Sequence, residues 1–271
     1  MPIPMKDSPS SKRNQLPLLS IFQVAIAVVF VCAGGAWAQS GKSEATLAHW
    51  KFEGKPGTPF TSEGSGQSEL KGGVAAKAGT NREPIYGEPS PNGGKSSLLL
   101  RNAGTSESDG GFASSEAAEL IGGKNELTVE AWIKPTALRD AAVLRMRTTD
   151  GAGWVSLRTG EDGRFGFVMI SGNGPIAQVV SDTGKLIAGE WQHVAATFQN
   201  GTLALYLNGE PVGKISSKDM LTIPDGFSLA GVGAYVRNMS GTSAASFFDG
   251  NIDEMRISGK ALGSEEFLIG R

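Results

Sequence analysis

The strongest constraint on the fold is a short alternating segment enclosed by two Asn-Gly pairs. The pairs Asn200-Gly201 and Asn208-Gly209 flank the sequence LALYL at residues 203–207. Asn and Gly both tolerate the positive φ angles that two-residue hairpin turns require, so each pair predicts a reversal of the chain. The pattern therefore predicts two β-hairpins that share the strand 203–207.

The same rhythm of short apolar segments and turn residues continues along most of the chain. Its 38 glycines are scattered between these segments, as expected for many tight turns. Residues 55–91 predict long loops with one short strand, and residues 102–111 predict a polar loop. Further strands are predicted at 46–52, 97–101, 126–133, 141–146, 154–158, 165–170, 176–180, 191–198, 228–236 and 247–257.

One segment looks helical, at residues 264–269, where Ser264 can cap the first turn. About a dozen short strands without alternating long helices favour one architecture. This is an all-β fold, a two-sheet antiparallel jelly-roll sandwich with a short C-terminal helical turn. No internal repeat or composition change divides residues 46–271, which we expect to form a single domain.

The N-terminus predicts an exported chain. Lys6, Lys12 and Arg13 precede an apolar run at residues 16–36, and Ala36-Trp37-Ala38 resembles a cleavage signature. We therefore interpret residues 1–38 as a signal peptide and residues 39–45 as a polar tether. The alternative is an uncleaved membrane anchor, although the most apolar part is short for a span of about 20 residues. Either interpretation predicts a secreted, periplasmic or cell-surface protein.

Cysteine and charge content limit the remaining possibilities. Cys32 is the single cysteine, and cleavage after Ala38 removes it, so stability must come from the core or from a bound metal. Without the leader the chain has 22 basic and 26 acidic residues and lacks a basic run. This balance argues against a nucleic-acid partner. A membrane contact is expected only through an uncleaved leader.

Three segments in order resemble the LamG-like jelly-roll domains of the concanavalin A-like lectin/glucanase fold. They are LTVEAWIKP (127–135), WQHVAATF (191–198) continuing into LYLNG (205–209), and FDGNIDEMRI (248–257) followed by Ala261-Leu262. The opening WKFEG (50–54) is similar to the first strand of that family. The resemblance covers about residues 46–271, and it implies a binding module whose ligand is most often a carbohydrate. Many functions share this architecture, so the resemblance alone does not define one.

Asp253 is the carboxylate that calls most for an explanation. In an unbroken strand it shares a face with Met255 and Ile257, the predicted core side, where a carboxylate needs hydrogen bonds or a metal. The resemblance implies a structural calcium ion near the junction of the first and last strands. It also places Glu63 where the family usually has an aspartate, so the expected ligands are Asp253 and Glu63. The alternative is that Asp253 only accepts hydrogen bonds from loop amides.

An enzyme is the less favoured interpretation, because the sequence lacks a recognisable catalytic pair. Retaining glycosidases need two carboxyl groups roughly 5–5.5 Å apart. An unbroken strand points Asp253 and Glu254 to opposite faces, and it separates Asp249 from Asp253 by about 13 Å. A bulge would change this geometry, but the sequence does not indicate one. A glycoside hydrolase or lyase therefore remains an alternative only.

Other conspicuous side chains have structural interpretations. Glu130 lies in an apolar strand and is expected to face solvent or to pair with a base on a neighbouring strand. His49 and His193 are interpreted as hydrogen-bonded strand residues. Three aromatic residues are interpreted as core residues: Trp132, Trp191 and Tyr206.

The candidate ligand-binding residues are aromatic side chains beside glycine-rich loops, namely Trp154, Tyr235 and Tyr86. Sugar sites commonly combine exposed aromatic rings with polar groups. The main alternative is a structural or adhesive domain that binds an extracellular or surface protein. An exposed apolar patch would favour the adhesive domain, whereas a groove with aromatic and amide groups would favour a glycan.

Overall fold

The computed structural model describes residues 45–54, 58–66, 68–75, 82–92, 94–103, 110–115, 120–172, 174, 176–220, 222–238 and 243–270. These residues belong to one compact unit, Lys42–Arg271. The predicted signal peptide (1–38) and residues 39–44 of the tether lie outside the described residues. Among the described residues, no helix is long and apolar enough to span a membrane.

The described residues form eighteen strands and one short 3-10 helix. The strands are Thr46–Trp50 (β1), Phe60–Thr61 (β2), Glu69–Ala75 (β3), Ile85–Gly87 (β4), Ser97–Leu100 (β5), Gly110–Ser115 (β6), Glu126–Pro135 (β7), Ala141–Thr148 (β8), Trp154–Thr159 (β9), Phe165–Ile170 (β10), Ile176–Val180 (β11), Gln192–Gln199 (β12), Thr202–Leu207 (β13), Glu210–Ser216 (β14), Phe227–Val232 (β15), Tyr235–Val236 (β16), Ala244–Ala245 (β17) and Gly250–Ser258 (β18).

Two large antiparallel sheets and one small hairpin contain these strands. The first sheet has the order β14-β13-β12-β7-β18-β5-β4, with β1 paired to β18. The second sheet has the order β11-β10-β9-β8-β15-β6-β3-β2, and β16 pairs only with β17. This is the predicted jelly-roll sandwich, in which strands that are distant in sequence lie side by side.

The main core lies between the two large sheets, where alternate residues of each sheet meet. It contains Val129 and Ile133 of the first sheet together with Leu157 and Phe167 of the second, all of them fully or almost fully buried. The outward-facing residues of these strands are left for solvent or for covering segments.

Each sheet has a separate segment packed on its outer face. Over the second sheet, the β16–β17 hairpin forms a small apolar cluster that includes Phe112, Leu229 and Phe247. Over the first sheet, the C-terminal segment contributes Leu262 and Phe267 to another small cluster.

The three aromatic residues interpreted as core residues lie outside the main core. Trp132 is buried on the outer face of the first sheet, where its indole nitrogen donates a 2.7 Å hydrogen bond to the carbonyl of Leu268. Tyr206 packs edge-on against Phe267, and Trp191 is partly exposed. The C-terminal segment thus covers aromatic residues that the sequence placed in the sandwich interior.

The glycine-rich N-terminal third contains more strands than predicted. Residues 55–91 contribute β2, β3 and β4 rather than one short strand, and β6 begins inside the predicted polar loop. The β3 and β6 strands pair with each other although both contain adjacent glycines. Those glycines allow close contacts, since a β-carbon at Gly73 would lie 2.8 Å from the Phe112 ring. Their strand pairing depends on tertiary packing rather than on β-propensity.

The C-terminal turn is shorter than predicted. It is a 3-10 helix at Ser264–Glu266, and Gly263 rather than Ser264 is its capping residue. The main-chain N–H of Gly263 donates a 3.0 Å hydrogen bond to the Glu266 carboxylate. This hydrogen bond satisfies a main-chain N–H at the start of the turn. The residues after the turn pack on the first sheet.

Candidate functional site

Alternate residues of β8 and β9 point away from the main core and form an outer face on the second sheet. The residues between them belong to the main core: Leu144, Met146, Val155 and Leu157. The outer face therefore carries Arg145, Arg147, Trp154, Ser156 and Arg158. Arg145 pairs with Ser156 and Arg147 pairs with Trp154, so guanidinium groups and an indole lie side by side.

The guanidinium of Arg145 is stacked between two aromatic rings. Its Cζ lies 3.8 Å from the centre of the Trp154 ring and 3.7 Å from the centre of the Tyr235 ring. Trp154 comes from the neighbouring strand, whereas Tyr235 belongs to the β16–β17 hairpin. Both contacts are well inside the distance of about 6 Å at which cation–π attraction operates. The stack therefore joins the hairpin to the sheet.

The β16–β17 hairpin can reach Arg145 because the residue of β15 that lies beneath the hairpin is a glycine. Gly231 pairs with Arg145 across the sheet. A β-carbon at Gly231 would lie 2.6 Å from the carbonyl oxygen of Ala234 and 2.7 Å from a methyl group of Val236. The main chain of the hairpin can approach β15 this closely only because Gly231 has no side chain.

Arg145 carries a partly buried positive charge. Burial lowers the pKa of its guanidinium to about 10; the nearby Tyr235 opposes this shift, whereas the charges of Arg158, Arg147 and Arg237 add to it. The group is still protonated at neutral pH. Its Nε is buried and has no hydrogen-bond partner among the described residues.

The neighbouring arginines are held by other contacts. The guanidinium of Arg147 donates to the carbonyl of Arg237, and Arg158 forms an ion pair with Asp140. The guanidinium of Arg237 lies 5.7 Å from the Tyr235 ring. This face is therefore cationic, although the whole chain has a formal net charge of −2. A cationic face with aromatic rings is suited to polar or anionic ligands.

The three predicted ligand residues do not form a single site. Trp154 and Tyr235 come together around Arg145, whereas Tyr86 lies on β4 of the first sheet. The Tyr86 ring packs 5.4 Å from that of Phe60 and lines a different cavity, of about 550 Å³. Sequence reasoning missed Arg145, although Arg145 and Arg147 alternate with the apolar residues Leu144 and Met146 in β8.

The predicted metal ligands occupy different surroundings. Glu63 is about half-exposed and forms an ion pair with Lys51 at 3.3 Å. Asp253 is buried, and its two carboxylate oxygens accept hydrogen bonds from the main-chain N–H groups of Ser90 and Glu254, both at 2.9 Å. Among the described residues, no hydrogen bond or ion pair links Glu63 to Asp253. Among the described residues, no three His, Cys, Asp or Glu side chains cluster as metal ligands.

A bulge in β18 changes the orientation of its acidic residues. The pairing with β7 passes from Asp253 opposite Trp132 to Arg256 opposite Glu130. Two residues of β18 therefore lie opposite one residue of β7. Glu254 occupies the bulge with a φ of 48°, in the left-handed region that non-glycine residues rarely adopt.

This bulge corrects two predictions. Asp253 does not share a side with Met255 and Ile257, because both of these residues lie in the main core and Asp253 faces the opposite side. The expectation that no bulge occurs near Glu254 is also wrong. The Glu254 carboxylate turns toward His49 on the same outer side, with 2.5 Å between Nε2 and Oε2.

Glu53 rather than Glu63 is the carboxylate that approaches Asp253. A β-carbon at Gly94 would lie 3.3 Å from a carboxylate oxygen of Glu53 and 3.6 Å from one of Asp253. Phe52, which precedes Glu53, has a φ of 50°. Strained backbone thus adjoins both carboxylates, and such strain concentrates at functional sites. Calcium binding at Asp253 stays a prediction, with Glu53 as the better placed second ligand.

Asp253 gives this prediction a pH-dependent test. Burial raises its pKa to about 6, because it outweighs the hydrogen bonds from Ser90 and from the N–H of Glu254, which favour the charged form. The native state therefore binds this proton more tightly than the unfolded chain. Without calcium, the free energy of unfolding should fall by roughly 3 kcal/mol as the pH rises from about 4 to 7. Urea unfolding in EDTA at several pH values measures this slope.

Two variants and a metal addition complete the test. Asp253→Asn should lose the slope, whereas Asp219→Asn, at an exposed aspartate, should keep it. Saturating Ca²⁺ should abolish the slope, because a bound cation favours the ionised carboxylate. A slope that persists unchanged in Ca²⁺ would exclude calcium binding at Asp253.

A buried ion-pair cluster lies under the C-terminal segment. Glu130 accepts hydrogen bonds from Nε of Arg256 at 2.6 Å, from Nε2 of His193 at 2.9 Å and from the N–H of Leu268 at 2.8 Å. Burial alone would raise the pKa of Glu130, but the His193 hydrogen bond and the Arg256 charge outweigh it and lower the pKa. Pairing of Glu130 with a neighbouring base is confirmed. These contacts hold the C-terminal segment on the first sheet.

The family of the chain follows from its sequence and fold together. A jelly-roll sandwich with glycine-rich loops defines a broad class of binding and catalytic domains. The family model of the concanavalin A-like lectin/glucanases superfamily matches residues 106–267, more than half of the chain. The chain belongs to this superfamily. No protein of curated function shows significant sequence similarity to it.

Solved structures with the same architecture include two domains that were each determined in complex with a ligand. Domain 4 of AbnA, a GH43 extracellular arabinanase from Geobacillus stearothermophilus, in complex with arabinotriose, is 21% identical. Its TM-score is 0.56, and the match covers 82% of this chain and 95% of that domain. The binding domain of botulinum neurotoxin DC in complex with SialylT is 12% identical with a TM-score of 0.50. That match covers 83% of this chain and 50% of the other. Both likenesses show the shared fold.

Proposed function

We propose that this chain is a secreted or surface-associated glycan-binding module and that its binding face is the outer face of the second sheet. The observation that carries the proposal is the stack of Trp154, Arg145 and Tyr235. Sugars present apolar C–H surfaces to aromatic rings and hydroxyl groups to polar side chains. This face supplies both kinds of partner.

A groove on the same sheet, which Arg145, Trp154 and Tyr235 do not themselves line, has room for a sugar. A cavity of about 560 Å³ lies along β9, β10 and β11, and its lining combines Arg158, Gly166, Gln178 and Val180 with the acidic residues Asp140, Glu161 and Asp162. Its volume is within the usual range of about 300–1,000 Å³ for small-ligand sites. Gly166 adds no side chain, and the Gln178 amide can donate and accept hydrogen bonds.

The known complexes of this fold support the proposal. The AbnA domain is described with arabinotriose and the neurotoxin binding domain with SialylT. We extend only the ligand class, glycans, from these proteins to this chain. Secretion is supported by the predicted leader at residues 1–38.

Binding rather than catalysis is supported by the contacts of the acids in β18. The carboxylate of Asp253 is buried and accepts two main-chain hydrogen bonds. The carboxylate of Glu254 is engaged by His49. Neither group is free on a sugar-sized cleft, as an acid or a nucleophile of a glycosidase would be.

A glycan array is the direct test. The chain from Gln39 to Arg271, which contains the whole compact unit, is applied to immobilised glycans and polysaccharides in Ca²⁺ and in EDTA. We expect binding to a defined glycan class, and we expect Trp154→Ala to weaken it by at least about tenfold, as loss of a central aromatic contact does. The matched control is Trp191→Ala, at a partly exposed tryptophan before β12.

The variants also distinguish the candidate faces. Equal loss in Trp154→Ala and Trp191→Ala would contradict this location of the site. Loss only in Tyr86→Phe would transfer the site to the cavity beside β4. Absence of binding to all glycans would contradict the proposed function.

A further inference from the structure

Arg145 differs from its neighbours Arg147 and Arg158, because its partly buried guanidinium has neither an ion pair nor a hydrogen bond among the described residues. Among the described residues, ion pairs join Lys134 to Glu88, Arg158 to Asp140 and Arg256 to Glu130. Arg145 has no ion pair or side-chain hydrogen bond within the same residues, and its Nε is buried. A desolvated cation without an anion is unfavourable, because its lost hydration is not replaced.

The aromatic stack leaves one part of the Arg145 guanidinium available. The centres of the Trp154 and Tyr235 rings lie 3.8 Å and 3.7 Å from its Cζ, and Nε is buried, whereas the two terminal nitrogens are not among the buried atoms that lack a partner. The N–H groups of a guanidinium lie in its plane and point outward from its edge. The edge is also the part that binds a carboxylate or sulfate through two parallel hydrogen bonds. The rings therefore hold Arg145 in an orientation suited to an anionic group.

The surrounding charges favour the same kind of ligand. Arg147, Arg158 and Arg237 all disfavour the charge on Arg145. Repulsion of this kind destabilises the free protein and is relieved when an anion binds. The chain as a whole is slightly acidic, so the cluster is not part of a generally basic surface.

We propose that Arg145 binds the carboxylate or sulfate group of an acidic glycan, with the aromatic rings of Trp154 and Tyr235 orienting its guanidinium. The inference rests on the proposed glycan-binding function and specifies its ligand class. The anionic group lies at the edge of the guanidinium.

Two matched pairs of polymers test the inference. Polygalacturonate is compared with its fully methyl-esterified form, and dextran sulfate is compared with dextran, by titration calorimetry. We expect one charged polymer to bind at least about tenfold more tightly than its uncharged partner. The first pair reports carboxylate recognition and the second reports sulfate recognition. Preference within either pair supports the inference.

Variants at matched positions separate specific binding from general attraction. Arg145→Gln should weaken binding of the preferred charged polymer by at least about tenfold, a typical loss for a charge-assisted bidentate contact. Arg101→Gln, at an exposed arginine beyond β5, should stay within about twofold of the wild type. Arg145→Lys keeps the charge but loses the planar donor edge, so its affinity should be intermediate.

The outcomes are distinguishable from failure of the proposed function. Equal affinity for charged and uncharged polymers, or unchanged binding in Arg145→Gln, would overturn this inference and leave glycan binding intact. Lack of binding to all four polymers and to the glycan array would overturn both. If the melting temperature shows that Arg145→Gln does not fold, then wild-type affinity in Arg145→Lys overturns the inference, and weakened binding supports it.

Discussion

Replacement of Glu130 by glutamine is expected to lower the free energy of unfolding by about 3–5 kcal/mol. The carboxylate is fully buried and accepts hydrogen bonds from Arg256, His193 and Leu268. Glutamine keeps the size of the side chain but removes its charge, so Arg256 loses its ionic partner. The N–H of Leu268 also loses a charged acceptor, which loosens the C-terminal segment. Urea denaturation at neutral pH measures the change.

A matched substitution on the same strand provides the control. Glu126 makes two longer hydrogen bonds, of 3.3 Å to Gln199 and 3.4 Å to Ala261. Glu126→Gln should therefore change stability by less than about 1 kcal/mol. The Glu130→Gln effect should also shrink as the pH falls through the lowered pKa of Glu130, because the native carboxylate is then protonated. Equal effects of the two substitutions would contradict the assigned role of Glu130.

Replacement of Gly231 by alanine is expected to disrupt the binding face while the sandwich stays folded. The new methyl group would lie 2.6 Å from the carbonyl oxygen of Ala234, so the hairpin that carries Tyr235 must move away from β15. Overpacking of this kind costs about 1–3 kcal/mol. Tyr235 then loses its contact with Arg145, and glycan affinity should fall about as much as in Tyr235→Ala. Thermal unfolding and titration of the best array glycan measure the two effects.

Gly72→Ala is the matched control in the same sheet. A β-carbon at Gly72 would meet its nearest neighbour, Pro84, at an ordinary distance of 3.5 Å. This variant should keep wild-type affinity and stability within about 0.5 kcal/mol. Wild-type affinity in Gly231→Ala would show that the hairpin position is not needed for binding.

The hairpins were predictable because their turn chemistry is local. Asn200 and Asn208 have φ angles of 45° and 50°, and the glycines that follow them have φ angles of 86° and 84°. Such backbone conformations restrict the residue choice, so the sequence retains a signal. The number of short strands without alternating long helices then predicted the jelly roll, and the order of the three family-like segments agreed with it.

Two features of the fold have no comparable signal in the sequence. The β3 and β6 strands contain few β-branched residues and are stabilised by pairing with each other, a long-range contact. The bulge at Glu254 inserts one residue into an otherwise regular strand. A single extra residue reverses the predicted side of every position on one side of it, which is why Asp253 was assigned to the core.

The candidate site was only partly predictable for the same reason. Trp154 and Tyr235 were selected because large aromatic residues beside glycine-rich loops are common ligand contacts. Their meeting at Arg145 depends on the β16–β17 hairpin folding onto the outer face of the second sheet. That packing is determined by Gly231 and by the apolar cluster under the hairpin, which are tertiary features.

Indole NMR signals test the central claim most directly. The chain from Gln39 contains four tryptophans, and each gives one indole N–H signal. The indoles of Trp50 and Trp132 donate hydrogen bonds to the carbonyls of Ser68 and Leu268 and are buried away from the proposed face. When the best array glycan is titrated, we predict that the Trp154 signal, assigned with Trp154→Phe, shifts while those of Trp50 and Trp132 stay in place. A shift at Trp132 or Trp191 with an unchanged Trp154 signal would contradict binding at the outer face of the second sheet.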